Sequence, residues 1–413
     1  MINYQQKLKL IKKLYSNKIK KNKKFSYPLL TDGYSPSDLQ EATKVLVSGR
    51  LTMSNITKKF ENYFAKKIGS KYALMVNSGS SANLLALYCL INPYRKKRLK
   101  KGDECLVPAL CWSTSLWPIV QAGLKPVFAD VNINTFTLDL ETIKKKITSK
   151  TKAVMILNVL GNCSEMDKIK NYLNKKKIYL IEDSCEALGS KYKNKNLGTY
   201  GDFGTFSFYY SHQITSGEGG MIVCNSKEDF HILKSLRAHG WDREINKKNM
   251  KNFNFINEGF NLRPLEITAA IGYNQFKRLK KMKSTRTKNR NNLIQSIKSS
   301  KKWNNQFTFF SAQKNLNPSW FGFPLMINKK NITSKKNFLN YLNKNQIETR
   351  PIISGNFTNQ PAIKKYKIKF KKSELKNSQE IENRGFFIGL PTKILDSSKI
   401  NKITNLLLNV NNF

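Results

Sequence analysis

Apolar residues in this 413-residue chain fall into short continuous runs, separated by longer stretches with helical spacing. The runs are 72–77 (YALMVN), 105–110 (CLVPAL), 126–130 (PVFAD), 153–160 (AVMILNVL) and 178–183 (IYLIED). Unbroken apolar strands alternating with helices predict an α/β fold, with a mainly parallel sheet covered by helices on both faces. Ahead of the first run, Ser37 and Gln40 form a capping pair for a helix ending at Gly49. A second helix follows Asn55, carries Phe60, Tyr63 and Phe64 on one face, and stops at Gly69. Helices are also expected from about Ser80, over 227–239 and over 264–279. Past about residue 285 the elements shorten, with strands at 321–327 and 348–353. The expected organisation is a basic extension at 1–24, a large domain at 25–285 and a small α+β domain at 286–413. In the extension, Ile2, Leu8, Ile11 and Leu14 have loosely helical spacing. So narrow an apolar face suits a partly ordered arm better than a membrane-surface helix.

Composition changes the picture in one respect, since the formal net charge is +46. The lysines are spread along almost the whole chain and no nucleic-acid-binding motif accompanies them. That distribution indicates a lysine-rich surface, with no specific nucleic-acid partner expected. The positive field would still favour an anionic substrate. No apolar run reaches the roughly 18–20 residues of a membrane span, and MINYQQKLKL has no apolar signal region. The six cysteines contain no C-x-x-C pair and suit free thiols in a reducing compartment. No metal site is expected, and the expected location is the cytoplasm.

Candidate chemistry centres on 201–220, GDFGTFSFYYSHQITSGEGG. Residues 196–226 hold no lysine or arginine, where composition alone would place about five or six. In the middle of this window sits His212, one of three histidines. Asn77-Ser78-Gly79-Ser80-Ser81 follows a strand and opens a helix, so small residues and first-turn N–H groups can form an anion site, with hydroxyls at Ser80 and Ser81. Trp112 follows a strand and is either a core or rim aromatic or a flat face for a ring to stack on. Asp183 ends an apolar strand, where ligands of open α/β sheets bind and where an unpaired carboxylate is costly.

Four blocks in this order, NSGSSANL, EDSCEALGS, FSFYYSHQITSGEGG and GFNLRPLEITAAIG, resemble the DegT/DnrJ/EryC1/StrS sugar aminotransferases. The resemblance runs from about residue 27 to the C-terminus. It implies the type I fold of enzymes dependent on pyridoxal 5'-phosphate (PLP). Gly79, Ser80, Ser81 and Ser207 would then bind the cofactor phosphate, Trp112 its ring and Asp183 its pyridinium nitrogen. Glu186 matches a position near the cofactor, although it also reads as an exposed helix-start carboxylate. Asn261 matches an asparagine lent by a neighbouring subunit, which implies a homodimer. Arg237, His239 and Arg243 are candidates to face the substrate.

The family's reactive position is a lysine, and here it is His212. The exchange resembles the nucleotide-sugar 3-dehydratase branch, in which histidine is the base and pyridoxamine phosphate (PMP) is not covalently anchored. The implied reaction is loss of the carbon-3 hydroxyl from a nucleotide-linked 4-keto-6-deoxyhexose, serving surface polysaccharide synthesis, with L-glutamate as amino donor. One type in the branch uses an iron–sulfur cluster held by cysteines C-terminal to the histidine. This chain has none after Cys224, so no cluster is expected, and the GDP-mannose-derived type is the closer match. The alternatives are an aminotransferase of the same family and a non-catalytic scaffold that kept the fold.

Overall fold

The computed structural model describes residues 25–31, 33–245, 253–331 and 334–413, with isolated positions 6, 9, 10 and 13. The arm expected at 1–24 therefore lies, apart from those four positions, outside the described residues. The apolar runs become strands with little polar surface: β1 (Tyr72–Val76), β2 (Glu104–Pro108), β3 (Lys125–Ala129), β4 (Thr151–Leu157) and β5 (Tyr179–Asp183). A short hairpin, β6 (Lys191–Tyr192) and β7 (Lys195–Asn196), precedes β8 (Phe203–Ser207) and β9 (Gly220–Cys224). Seven of these form one sheet in the order β1-β9-β8-β5-β4-β2-β3. Only β9 runs antiparallel to its neighbours, so the carboxyl ends of the other six share one edge. Gly79 and Asp183 lie along that edge, as the type I fold requires.

A second sheet, β10-β12-β14-β13, is antiparallel and built from Phe307–Phe309, Gly322–Ile327, Thr349–Arg350 and Gly385–Gly389, with β10, β12, β13 and β14 numbered in chain order. The intervening β11 (Leu316–Asn317) adds to the β6–β7 hairpin. The strand expected over 348–353 shortens to two residues. Pro351 has no N–H for a ladder, and Ile353 turns to φ 51°. Residues 25–30, expected with the large domain, join this C-terminal sheet instead: Tyr27 bridges Ile347, and its hydroxyl donates to the Gly389 carbonyl at 2.8 Å.

Two helices depart from expectation for simple reasons. The first, Pro36–Val47, is capped by Ser35 with Asp38 closing the box, in place of Ser37 and Gln40. Proline has no N–H and its fixed φ suits the first helical position, so the cap falls on the residue before it. The helix expected to end near Leu279 runs unbroken from Glu266 to Ser299. No glycine or proline follows Gly272 to stop it. Its first half packs on Phe60, Phe64, Phe206 and Phe208, and Leu293 and Ile297 join the core shared with the second sheet. Residue 285 lies inside this helix.

Candidate active site

The carboxyl edge of the large sheet and the second sheet enclose a cavity of ≈ 1120 Å³. Two glycines bring its walls together. A Cβ on Gly79 would sit 2.6 Å from the Ser207 Cβ and 2.9 Å from the Cys185 Sγ, so only glycine lets the helix Gly79–Ile91 start against the end of β8. A Cβ on Gly220 would meet the Ser78 carbonyl oxygen at 2.3 Å, so β9 must begin with glycine to sit between β1 and β8.

Gly79, Ser80 and Ser207 line the cavity at this junction. The Ser80 hydroxyl lies 2.9 Å from that of Thr114, and the Ser207 Oγ accepts from the Tyr209 N–H at 3.2 Å. Ser81 is placed differently. Its hydroxyl donates to Asn77 Oδ1 at 2.6 Å and its N–H donates to Ser78 Oγ at 3.1 Å, so both groups are spent closing the turn. Successive helical residues are about 100° apart, so Ser80 and Ser81 do not face the same way.

Asp183 is buried and held in place. Asn83 Nδ2 and Ser115 Oγ each donate to its Oδ2 at 2.8 Å, and Thr205 Oγ1 donates to Asn83 Oδ1 at 2.6 Å. Its Oδ1 accepts a 3.3 Å bond from the Cys185 N–H. Trp112 caps the helix Ser113–Gln121 and lines the cavity with 55 % of its surface exposed. Glu186 lies deeper, where its Oε2 accepts from the Leu160 N–H at 2.9 Å. Burial, only partly offset by that bond, pushes its carboxyl up to about 8.

His212 projects among Phe321, at 5.0 Å between ring centres, and Tyr209, at 6.0 Å. Its Nδ1 is buried and has no hydrogen-bond partner. Burial first and the Arg286 charge second hold the imidazole well below its usual range, at about 3, so it is neutral at physiological pH. Only one cationic side chain, Arg350, lines the cavity among the described residues.

These groups fit a phosphorylated pyridine on observations of this chain alone. They comprise a helix N-terminus beside two hydroxyls, an exposed indole, a buried carboxylate with one lightly used oxygen, and a neutral imidazole with an orphaned nitrogen. Among the described residues no cluster of histidine, cysteine and acidic side chains could hold a metal ion.

Four candidates lie elsewhere. Asn261 is exposed and accepts from the Arg263 Nε at 3.1 Å, outside the cavity of its own chain. Arg237 turns inward, pairing with Glu61 at 2.7 Å and Glu244 at 2.6 Å. His239, at φ 63°, lies beside Arg263, and Arg243 stacks over Trp241 at 5.0 Å. Sequence reading missed Asn83, Ser115 and Thr205. Asn83 sits four residues after Gly79, on the same face of its helix, which was the one available signal.

Comparisons with known proteins find relatives of similar sequence and fold. A GDP-4-keto-6-deoxy-D-mannose 3-dehydratase of Escherichia coli O55:H7 is 39% identical over 376 residues, 88% of this chain and 95% of that protein. A solved variant of GDP-4-keto-6-deoxymannose-3-dehydratase with bound GDP-perosamine has a TM-score of 0.86 at 37% identity, covering 92% of this chain and 100% of the other. A second structure, of such a dehydratase with a trapped PLP-glutamate geminal diamine, gives the same TM-score, identity and coverage. The family model of the DegT/DnrJ/EryC1/StrS aminotransferases matches residues 34–407, and this chain belongs to that family.

Proposed function

We propose that the protein is a PLP/PMP-dependent nucleotide-sugar 3-dehydratase acting on GDP-4-keto-6-deoxymannose. The observation that carries the reading is a neutral, cavity-facing His212 where the family resemblance puts a lysine. When bound, the aminated cofactor supplies a conjugated path from its methylene carbon through the sugar's C4 to C3. The remaining work falls to this chain. Gly79, Ser80 and Ser207 hold the phosphate, and Trp112 covers one face of the ring. Asp183, oriented by Asn83 and Ser115, keeps the ring nitrogen protonated. His212 would take the methylene proton on its imidazole and return it to the departing C3 hydroxyl, which would leave as water. A neutral imidazole is ready to accept that proton, and the imidazolium it becomes is a strong enough acid to pass it on. It cannot form the covalent link of a lysine, so the cofactor stays exchangeable.

L-Glutamate is the amino donor in this reading, supported by the PLP-glutamate adduct named for a solved relative. The working unit is a homodimer in which Asn261 of a second copy reaches the phosphate. That accounts for its exposed position outside its own cavity. The test is His212→Asn, which should bind the cofactor as wild type does but dehydrate 10²–10⁴-fold more slowly. His212→Lys should become covalently labelled on borohydride treatment with PLP, whereas wild type should not. Labelling of wild type at any lysine would restore the aminotransferase reading.

A further inference from the structure

Two arginines near the middle of the helix Glu266–Ser299 are buried without an acid. Arg286 is 2 % exposed and Arg290 8 %. Arg286 Nε donates to the Leu390 carbonyl at 3.1 Å and its Nη2 to the His212 carbonyl at 3.4 Å. One turn on, Arg290 Nη2 donates to the Phe310 carbonyl, and its guanidinium lies 4.2 Å from the centre of the Trp320 ring. No carboxylate among the described residues pairs with either. Elsewhere the fold neutralises such groups: Arg95 meets Asp229 at 2.7 Å, and Arg237 meets Glu61. Carbonyl dipoles recover only part of the solvation a buried cation loses. Burial accordingly lowers both guanidiniums to about 10, which still leaves them charged at neutral pH.

We propose that Arg286 is a positioning residue for the base, tying the His212 carbonyl to Leu390 and setting an unneutralised positive charge against the backbone of the base. Protonating His212 would bring two like charges together in a region of low dielectric. The other groups around the imidazole compensate only in part. Tyr209 and Phe321 present rings, the Tyr209 carbonyl favours the protonated ring less than burial and Arg286 oppose it, and Glu186 is held protonated. Glu218, which also lines the cavity, is exposed. The carbonyl bond has a second effect. It links the turn carrying the base to the segment just after β14, so the second sheet and the base are held in register. Arg290 provides a built-in comparison, being equally unpaired but reaching Phe310 in place of His212.

The proposal rests on His212 being the base, yet it can be tested without turnover. The chain has three histidines, His212, His231 and His239. ¹⁵N-histidine spectra of the full chain after dialysis, assigned with His212→Asn, report the charge on each ring. Arg286→Met should raise the proton affinity of His212 at least tenfold, about one pH unit. Arg290→Met should leave it at the wild-type value. Arg286→Gln, which keeps a donor for the carbonyls, should shift the titration as Arg286→Met does. A His212 midpoint no higher in either Arg286 variant than in wild type would overturn the proposal. So would failure of both to fold where Arg290→Met folds, since the guanidinium would then serve the fold alone. A His212→Asn protein that still dehydrated would end the base reading without altering this titration.

Discussion

At the scale of single residues, most of the site was legible because its chemistry restricts the choice of side chain. His212, Asp183, Trp112, Ser80 and Ser207 all line the cavity, Asp183, Trp112 and Ser80 at or just past the end of an apolar run and Ser207 and His212 inside the window free of lysine and arginine. Glu186 does too, and it yields a prediction. Burial keeps its carboxyl protonated up to about 8 in the folded chain, whereas an unfolded glutamate releases its proton near about 4.3. The folded state therefore gains from holding this proton below the unfolded value and loses that gain as pH rises towards 8. The Tm should fall over that range, and Glu186→Gln, which keeps an acceptor for the Leu160 N–H, should flatten that part of the fall. Equal slopes for the two proteins would show that Glu186 is already ionised at neutral pH. Less legible were residues that act through others. Asn83 and Ser115 matter because the fold turns them onto Asp183, and Ser81 drops out because the helix turns it away. None of this is encoded in local spacing.

At the scale of elements, periodicity located the five apolar strands to within a few residues because both faces of each are covered. It misplaced the end of the helix Glu266–Ser299, whose middle turns are polar in sequence yet bury Arg286, Asn289 and Arg290 against backbone carbonyls. Polar burial of this kind leaves no apolar signature. The junction of the helix Gly79–Ile91 with β8 is the element contact most exposed to test. Gly79→Ala would force the helix start away from Ser207, at an overpacking cost of about 1–3 kcal/mol. The protein should still fold, but bind PLP about ten- to a hundredfold more weakly in a fluorescence titration. An unchanged Kd would mean that this junction does not shape the phosphate site.

At the scale of the molecule, the charge and the proposed dimer carry the consequences. With a net charge of +46, any nucleic-acid binding should be sequence-indifferent and should weaken steeply as salt rises. No helix among the described residues is long and apolar enough to cross a membrane. If each site takes His212 from one copy and Asn261 from the other, mixing inactive His212→Asn with inactive Asn261→Ala should restore activity. Random exchange would give about a quarter of the wild-type sites. A mixture no more active than its components would place the whole site within one chain.

The central claim is that this member of an aminotransferase family removes oxygen from a sugar and leaves no nitrogen on it. Mass spectrometry of GDP-4-keto-6-deoxymannose incubated with the protein, PLP and L-glutamate tests that claim directly. The account predicts a GDP-sugar lighter by one oxygen atom, with ammonia and 2-oxoglutarate formed in equal amounts. A GDP-linked 4-amino sugar, formed without release of ammonia, would contradict it.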